Sequence, residues 1–164
     1  MKIKWGVFLL LLCITGCAKT MSKTAPIPVT EFESPFEAVC EESVWGGKIF
    51  VEVPSVCVEL EYPTEVAGLR FESNGQEVTV SYKGLSAICP VDALPKEGPL
   101  STIYESLRLC RVQDYLSEGV LEEDRWRFTG EGETPLTVYT DSTGKIFEIE
   151  NLQNSFKFRF YADE

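Results

Sequence analysis

The chain has 164 residues, of which 44% are hydrophobic and 25% charged, and its formal net charge is −11. An acidic excess of this size repels polyanions, which argues against nucleic acid as a partner. Histidine is absent, which excludes His-based catalytic triads, His general bases and His-ligated metal sites. We therefore expect a protein that is not an enzyme, with no catalytic residue, no metal and no cofactor.

The N-terminal segment has the pattern of an export signal. Lys2 and Lys4 precede an apolar run over residues 5–14, which is too short to span a bilayer. Ile14-Thr15-Gly16-Cys17 follows and resembles the lipobox of bacterial lipoproteins. The resemblance implies a signal peptide over 1–16, cleavage before Cys17, and attachment of a diacylglyceryl group to the Cys17 thiol, with palmitate-type acyl chains. An ordinary signal peptide with a coincidental cysteine is the alternative.

Lipidation of Cys17 would place the protein at the extracytoplasmic face of the cell membrane, because two or more acyl chains make a stable anchor. Removal of residues 1–16, which carry two lysines and no acid, leaves 13 basic and 26 acidic residues, a net charge of −13. We expect a lipidated cysteine and flexible linker over 17–33, with Pro26 and Pro28 in it, and a single domain over 34–164.

The domain reads as short strands separated by turn signals. An Asn74-Gly75 pair predicts a type I′ hairpin turn, Gly46-Gly47 predicts another turn, and Ser101 is the expected cap of one helix that ends near Leu116. We treat Gly84-Leu85-Ser86-Ala87-Ile88 as a strand end. The predicted strands lie at 36–44, 48–53, 56–62, 69–73, 76–82, 125–129, 136–140, 145–150 and 155–161.

The area of this sheet constrains how it folds. Eight or nine strands spaced about 4.8 Å apart give a sheet about 40 Å wide, with about 700 Å² of apolar surface on one face. A helix of about 16 residues covers only about 240 Å² of that face. Since monomers rarely leave so much apolar surface exposed, the sheet must curl around the helix or share the surface with a ligand.

Several segments together resemble a known fold. They are Glu61-Tyr62-Pro63, residues 66–71, the Asn74-Gly75 hairpin, residues 78–85, and the Thr143-Gly144-Lys145-Ile146 turn. They are similar to small Firmicutes lipoproteins of the lipoprotein-carrier (LolA/LolB-like) fold. The resemblance implies a mainly β (α+β) architecture: an antiparallel unclosed β-barrel, or half-barrel, with one main helix packed on the concave face.

Members of that superfamily hold acyl chains in the apolar concavity, so the resemblance implies a lipid or other hydrophobic ligand. The residues expected to line it are Val78, Val80, Leu107, Trp126, Phe128, Phe156, Phe158 and Phe160. The alternative is a structural or assembly protein of the envelope, for example in sporulation or germination, without a small-molecule ligand. Under either hypothesis, ligand-binding protein or assembly protein, another envelope protein could be a partner.

Other candidate sites have simpler explanations. We interpret the Asp141–Gly144 segment as a hairpin turn and the acidic cluster at 122–124 as a solvated loop. Carboxylates at 41–42 and at 59 and 61 would form a glycosidase-like pair only if the fold brought them together across a cleft. Two interpretations stay open for Cys40, Cys57, Cys89 and Cys110: disulfides or buried free thiols.

Overall fold

The computed structural model describes residues 24–95 and 98–162. The signal peptide and Cys17 therefore lie outside the described residues. One antiparallel sheet of eleven strands and one α-helix, α1, make up the described part of the chain. The strands are β1 (Phe32–Cys40), β2 (Ser43–Glu52), β3 (Ser55–Tyr62), β4 (Arg70–Ser73), β5 (Glu77–Tyr82), β6 (Leu85–Pro90), β7 (Val120–Glu122), β8 (Arg125–Gly130), β9 (Leu136–Thr140), β10 (Ile146–Asn151) and β11 (Phe156–Phe160).

The sheet is open. Its spatial order is β6-β5-β4-β3-β2-β1-β11-β10-β9-β8-β7, so β6 and β7 are the two edges and the described residues do not close it into a barrel. The first and last strands pair at its centre, with Ala38 opposite Phe158. An unclosed antiparallel half-barrel with one helix is the expected fold, and it is confirmed.

The two faces of the sheet differ in chemistry because side chains alternate along each strand. The concave face carries the hydrophobic core, which includes Phe36, Ile49, Val58 and Phe158. The convex face carries ion pairs between neighbouring strands. Lys157 on β11 lies 2.5 Å from Glu150, and Arg159 lies 3.2 Å from Glu148, both on β10. The polar face therefore points to solvent and the apolar face is turned inward.

Helix α1 (Pro99–Leu109) lies on the concave face. Gly98 is its N-cap and Pro99 occupies the first turn, where a missing N–H costs nothing. The expected cap was wrong: the Ser101 hydroxyl instead donates to the Gly98 carbonyl at 2.9 Å. The expected end near Leu116 was also wrong, because the chain leaves the helix after Leu109 and continues in turns.

Two predicted turns need correction. Gly46 and Gly47 lie inside β2, where the pairing with β3 shifts register, and a Cβ on Gly47 would collide with the Glu59 carbonyl oxygen. Glycine is required there for close strand approach and not for reversal. In the hairpin between β4 and β5, only Gly75 of the turn has positive φ, and the Asn74 backbone N–H donates to the Glu77 carbonyl. That pattern matches a type II′ turn centred on Gly75 and Gln76, not type I′.

The chain begins its ordered pairing slightly before the predicted domain start at residue 34. β1 begins at Phe32, and Val29 forms an isolated parallel bridge with Lys145. The Val29 N–H donates to the Gly144 carbonyl at 2.8 Å. The described end of the predicted linker thus lies against the turn between β9 and β10.

Candidate functional site

The eight residues expected to line a ligand site all belong to the concave side of the sheet or to α1. β11 contributes three aromatic rings at the centre, β5 contributes two valines near one edge, and β8 contributes two aromatic rings near the other. All but Val80, which is half-buried, are buried: Val78, Leu107, Trp126, Phe128, Phe156, Phe158 and Phe160. Six of the eight belong to one core cluster; Val78 and Val80, on β5, lie outside that cluster.

Helix α1 occupies the concavity. Ile103 and Leu107 project into the core and are 2% and 0% exposed. Between α1 and strands β3–β5 there is an apolar cavity of about 20 Å³, bordered by Val58, Val78 and Ile103. A cavity of that size is close to the minimum for one water molecule. In this arrangement the chain's own helix, and not an acyl chain, fills the apolar face.

A second groove lies beside Trp126 and Phe128. It has a volume of about 490 Å³ and lies between residues 24–28 and 116–119. Both rings are 5% exposed or less, so their edges contribute little apolar surface to this groove. The described part of the chain contains no helix long and apolar enough to span a bilayer.

The Asp141–Gly144 segment forms the expected hairpin turn. The Asp141 carboxylate accepts hydrogen bonds from the Thr143 N–H at 2.7 Å, the Thr143 hydroxyl at 2.6 Å and the Lys145 N–H at 3.1 Å. Partial burial would raise the pKa of Asp141, but the hydrogen bonds from Thr143, Lys145 and Gly144 outweigh it and lower the pKa below its ordinary value. This carboxylate has a structural role in closing the turn.

The remaining acids do not converge. Glu41 and Glu42 form the exposed turn between β1 and β2, whereas Glu59 lies on the convex face of β3, 3.8 Å from Arg70. In the acidic cluster, Glu122 pairs with Arg127 at 2.5 Å across the β7–β8 hairpin. No group of three or more His, Cys, Asp or Glu residues within the described ranges could hold a metal ion.

The four described cysteines are free thiols. Cys40 and Cys110 pack against the core. Part of the surface of Cys110 is exposed, yet burial of its thiol raises the pKa to about 12. Burial also raises the pKa of Cys40 and of Cys57. A thiol with a raised pKa is a poor nucleophile at neutral pH, so these three have the character of structural cysteines.

The edge strand β6 is the feature that the sequence reasoning missed. The segment Leu85–Ile88, treated as a strand end, is the first part of a six-residue strand that is exposed over almost its whole length. Leu85 is 77% exposed and Ile88 is 67% exposed. The strand contains no charged residue. The available signal was the Lys83-Gly84 pair, which forms a two-residue hairpin loop with positive φ at both positions.

Comparisons with known proteins bear on the fold alone. No family model and no curated protein matches the chain. An uncharacterized conserved protein from Thermus thermophilus is similar over 78% of this chain and 74% of its own, with 11% identity and a TM-score of 0.50. That likeness supports the half-barrel architecture and nothing finer.

Two further solved structures resemble the chain more loosely. A LolA superfamily protein from Nitrosomonas europaea covers 83% of this chain and 87% of its own, at 7% identity and a TM-score of 0.42. A chain of the CwlD amidase–GerS lipoprotein complex from Clostridioides difficile covers 100% of this chain and 96% of its own, at 11% identity and a TM-score of 0.49. At these scores neither carries an argument about function.

Proposed function

We propose that this protein is a lipid-anchored, non-enzymatic assembly module of the cell envelope that binds a partner protein along the open edge of β6. Anchoring through Cys17 rests on the lipobox-like sequence. Partner binding rests on one observation, the exposed and uncharged edge of the sheet. An acyl-chain ligand is the less supported candidate because α1 already fills the concavity.

Within residues 24–95 and 98–162, β5 is the strand that pairs with β6, and this pairing shows which backbone groups of β6 have no partner strand. Tyr82 and Leu85 close a two-residue hairpin, so they form a hydrogen-bonded pair, and alternate residues point away from β5. The Val91 N–H donates to the Gln76 carbonyl at 3.0 Å, which fixes the same alternation at the far end. Ser86 and Ile88 therefore direct N–H and C=O groups to the open edge. Such a row is a ready template for another strand.

The opposite edge of the sheet is protected. β7 is only three residues long and ends in Glu122, followed by Glu123 and Asp124. Short length and charge are two devices that prevent pairing at a sheet edge. β6 is twice as long and has neither device, apart from Pro90 at its end. The contrast indicates that β6 is an edge available for pairing.

The partner strand is expected to be cationic and to alternate apolar side chains. The part of the chain after residue 16 has a net charge of −13, so a second copy would meet strong repulsion. Leu85 and Ala87 lie on the same face as the core residues of β5, since they pair with Tyr82 and Val80. A strand added beside β6 would continue that apolar face with every second side chain.

A site-specific cross-link tests this proposal. A photoreactive residue would replace Ser86 in the lipid-anchored protein in its own membrane. We expect an adduct with another protein, mapped by mass spectrometry to an extended segment richer in Lys and Arg than in Asp and Glu. Ile88→Pro should abolish the adduct, because it removes an outward N–H while leaving the pairing with β5 intact.

The matched control is Leu121→Pro. Glu122 and Arg125 close the β7–β8 hairpin, so Leu121 also directs its N–H outward, at the opposite edge. This control should leave the Ser86 adduct unchanged. An adduct that survives Ile88→Pro, or adducts formed only between two copies of the chain, would contradict the proposal.

One observation favours the hydrophobic ligand as a second candidate. The cavity under α1 is bordered by Leu100 and Tyr104 from the first turns of the helix, and both are only partly buried. Lifting those turns would open the cavity toward β5. Titration of a fluorescent fatty-acid analogue tests this: saturable micromolar binding weakened by Val80→Glu, at a half-buried position, would support it, and absence of saturable binding would remove it.

A further inference from the structure

A further groove lies beside the first half of α1. It is distinct from the β6 edge and from the cavity between α1 and strands β3–β5. Its volume is about 470 Å³, and it lies between α1, the turn joining β10 to β11, and the 3-10 turn at Val91–Ala93. That volume falls within the range of about 300–1,000 Å³ typical of small-molecule sites. The β6 edge is not part of it.

The floor of the groove is a rigid set of uncharged polar groups. Asn151 is 1% exposed. Its side-chain oxygen Oδ1 accepts hydrogen bonds from the backbone N–H groups of Gln153 at 3.2 Å and Asn154 at 3.3 Å. Its amide donates to the hydroxyl of Ser106, which is fully buried, at 3.3 Å. The Asn154 amide donates to the Thr102 hydroxyl at 3.3 Å. Buried polar groups that are satisfied in this way hold their positions.

These bonds leave hydrogen-bonding capacity directed at the groove. Among the described residues, no hydrogen bond accounts for the side-chain oxygen Oδ1 of Asn154 or for the Gln153 side-chain amide; the Asn154 backbone carbonyl accepts from the Cys40 thiol at 3.5 Å. The side chains of Tyr104 and Glu105 line the same groove, and the Glu105 carboxylate is held by Arg108 at 2.6 and 2.7 Å. The groove thus offers amide donors and acceptors, a carboxylate and an aromatic ring.

The lining excludes several kinds of ligand. Among the described residues it contains Asp92 and Glu105 and neither Lys nor Arg, which disfavours anions. The remaining hydrogen-bonding capacity of Gln153 and Asn154 disfavours an acyl chain, because apolar atoms cannot pair with it. Val91 and Leu94 add a small apolar patch at one side. An uncharged molecule with many hydroxyl groups and an occasional methyl group matches all of these features.

We propose that this groove binds an uncharged oligosaccharide that carries N-acetyl groups. Asn154 and Gln153 would hydrogen-bond the sugar hydroxyl and acetamido groups, Tyr104 would contact a ring face, and the patch at Val91 would receive an acetyl methyl. The site is independent of the proposed β6 interface, so either can fail without the other.

Calorimetric titration with tetra-N-acetylchitotetraose tests the site, using the full chain with its lipid anchor in a mild detergent. We expect saturable binding at micromolar to millimolar concentration. Asn154→Ala and Gln153→Ala should each weaken it about tenfold, the cost of one unmade hydrogen bond. Leu152→Ala, on the same turn but 58% exposed, is the matched control and should have no effect.

Three outcomes would overturn the proposal. One is no saturable binding of the tetrasaccharide by the folded protein. Another is binding unaffected by both Asn154→Ala and Gln153→Ala; the exposed position of Gln153 ensures that at least one variant folds. The third is tighter binding of an uncharged tetra-alanine peptide, which would assign the groove to peptides. Ile88→Pro should leave sugar binding unchanged, separating this result from the fate of β6.

Discussion

Replacing Leu107 with alanine tests whether α1 permanently closes the concave face of the sheet. Leu107 is 0% exposed and lies at the centre of the interface between α1 and the core. The substitution removes three carbons, worth about 2.4 kcal/mol of transfer free energy at about 0.8 kcal/mol per buried CH₂. The cavity left behind raises the total to about 3–5 kcal/mol, the range seen for Leu→Ala in well-packed cores.

Urea denaturation followed by circular dichroism would measure this loss, with the slope of the transition expected to stay constant. Arg108→Ala is the matched control on the next residue. Its side chain is about half exposed and, among the described residues, pairs with Glu105 alone, on the same helix, so we expect a loss below about 0.5 kcal/mol.

A loss below about 1 kcal/mol for Leu107→Ala would refute the reasoning. It would mean that α1 leaves the sheet at little cost and that the concavity is open for much of the time. In that case the hydrophobic-ligand function would become the better supported one. A loss in the expected range would leave the fatty-acid analogue without room to bind.

Three other predictions concern single residues. Because the pKa of Cys110 is raised to about 12 in the folded state, only the unfolded thiol ionises between pH 9 and 12, so stability falls with rising pH by about 1.4 kcal/mol per unit. The stability difference between the protein and Cys110→Ala should therefore shrink from pH 8 to 10.5; a constant difference contradicts the assignment. Gly47→Ala should cost at least about 2 kcal/mol in urea denaturation, since its Cβ would meet the Glu59 backbone, and a neutral effect would disprove that contact. Cys17→Ser should abolish incorporation of an alkyne-labelled palmitate, and persistent labelling would place the lipid elsewhere.

Much of the fold could be predicted because half-buried strands carry an alternating pattern. β3 reads Val56, Val58 and Leu60 inward against Glu59 outward, and β11 alternates three phenylalanines with Lys157 and Arg159; both strands are found where expected. A strand with one face on the core encodes its position in its own sequence. Ile103 and Leu107, both buried, are four positions apart, a helical spacing that likewise marks one face of α1 in the sequence.

β6 was missed because its side-chain pattern carries no burial information, so that only the Lys83-Gly84 turn signal marks it in the sequence. Nearly all its residues are exposed on both faces, so there is no alternation of apolar and polar side chains. The turn predicted at Gly46-Gly47 was wrong for a different reason. A glycine pair fits both a turn and a close strand approach, and the deciding contact comes from Glu59, on the neighbouring strand.

The occupancy of the concavity also lay beyond the sequence. The area of the apolar face required either that the sheet curl around its helix or that a ligand cover the face. The amino-acid sequence is compatible with both arrangements. The choice depends on where α1 lies relative to β3–β5, which is a long-range property. The observed packing leaves a cavity of about 20 Å³, far below the volume of an acyl chain.

Two features of the fold together bear on the proposed function: α1 fills the concavity of the sheet, and the edge strand β6 is left open. A half-barrel that uses its own helix as a plug gives up its largest apolar surface as a binding site, since releasing the helix would cost the burial of Ile103 and Leu107. The proposed interface lies instead at the edge, where Ser86 and Ile88 would offer backbone hydrogen bonds that water already satisfies in the free protein. Each bond to a partner strand is then worth only about 0.5–1.5 kcal/mol net, so affinity must come from apolar side chains placed against Leu85 and Ala87. In the proposed interface the partner would therefore be selected by its side-chain pattern, and the backbone edge would set only its direction and register.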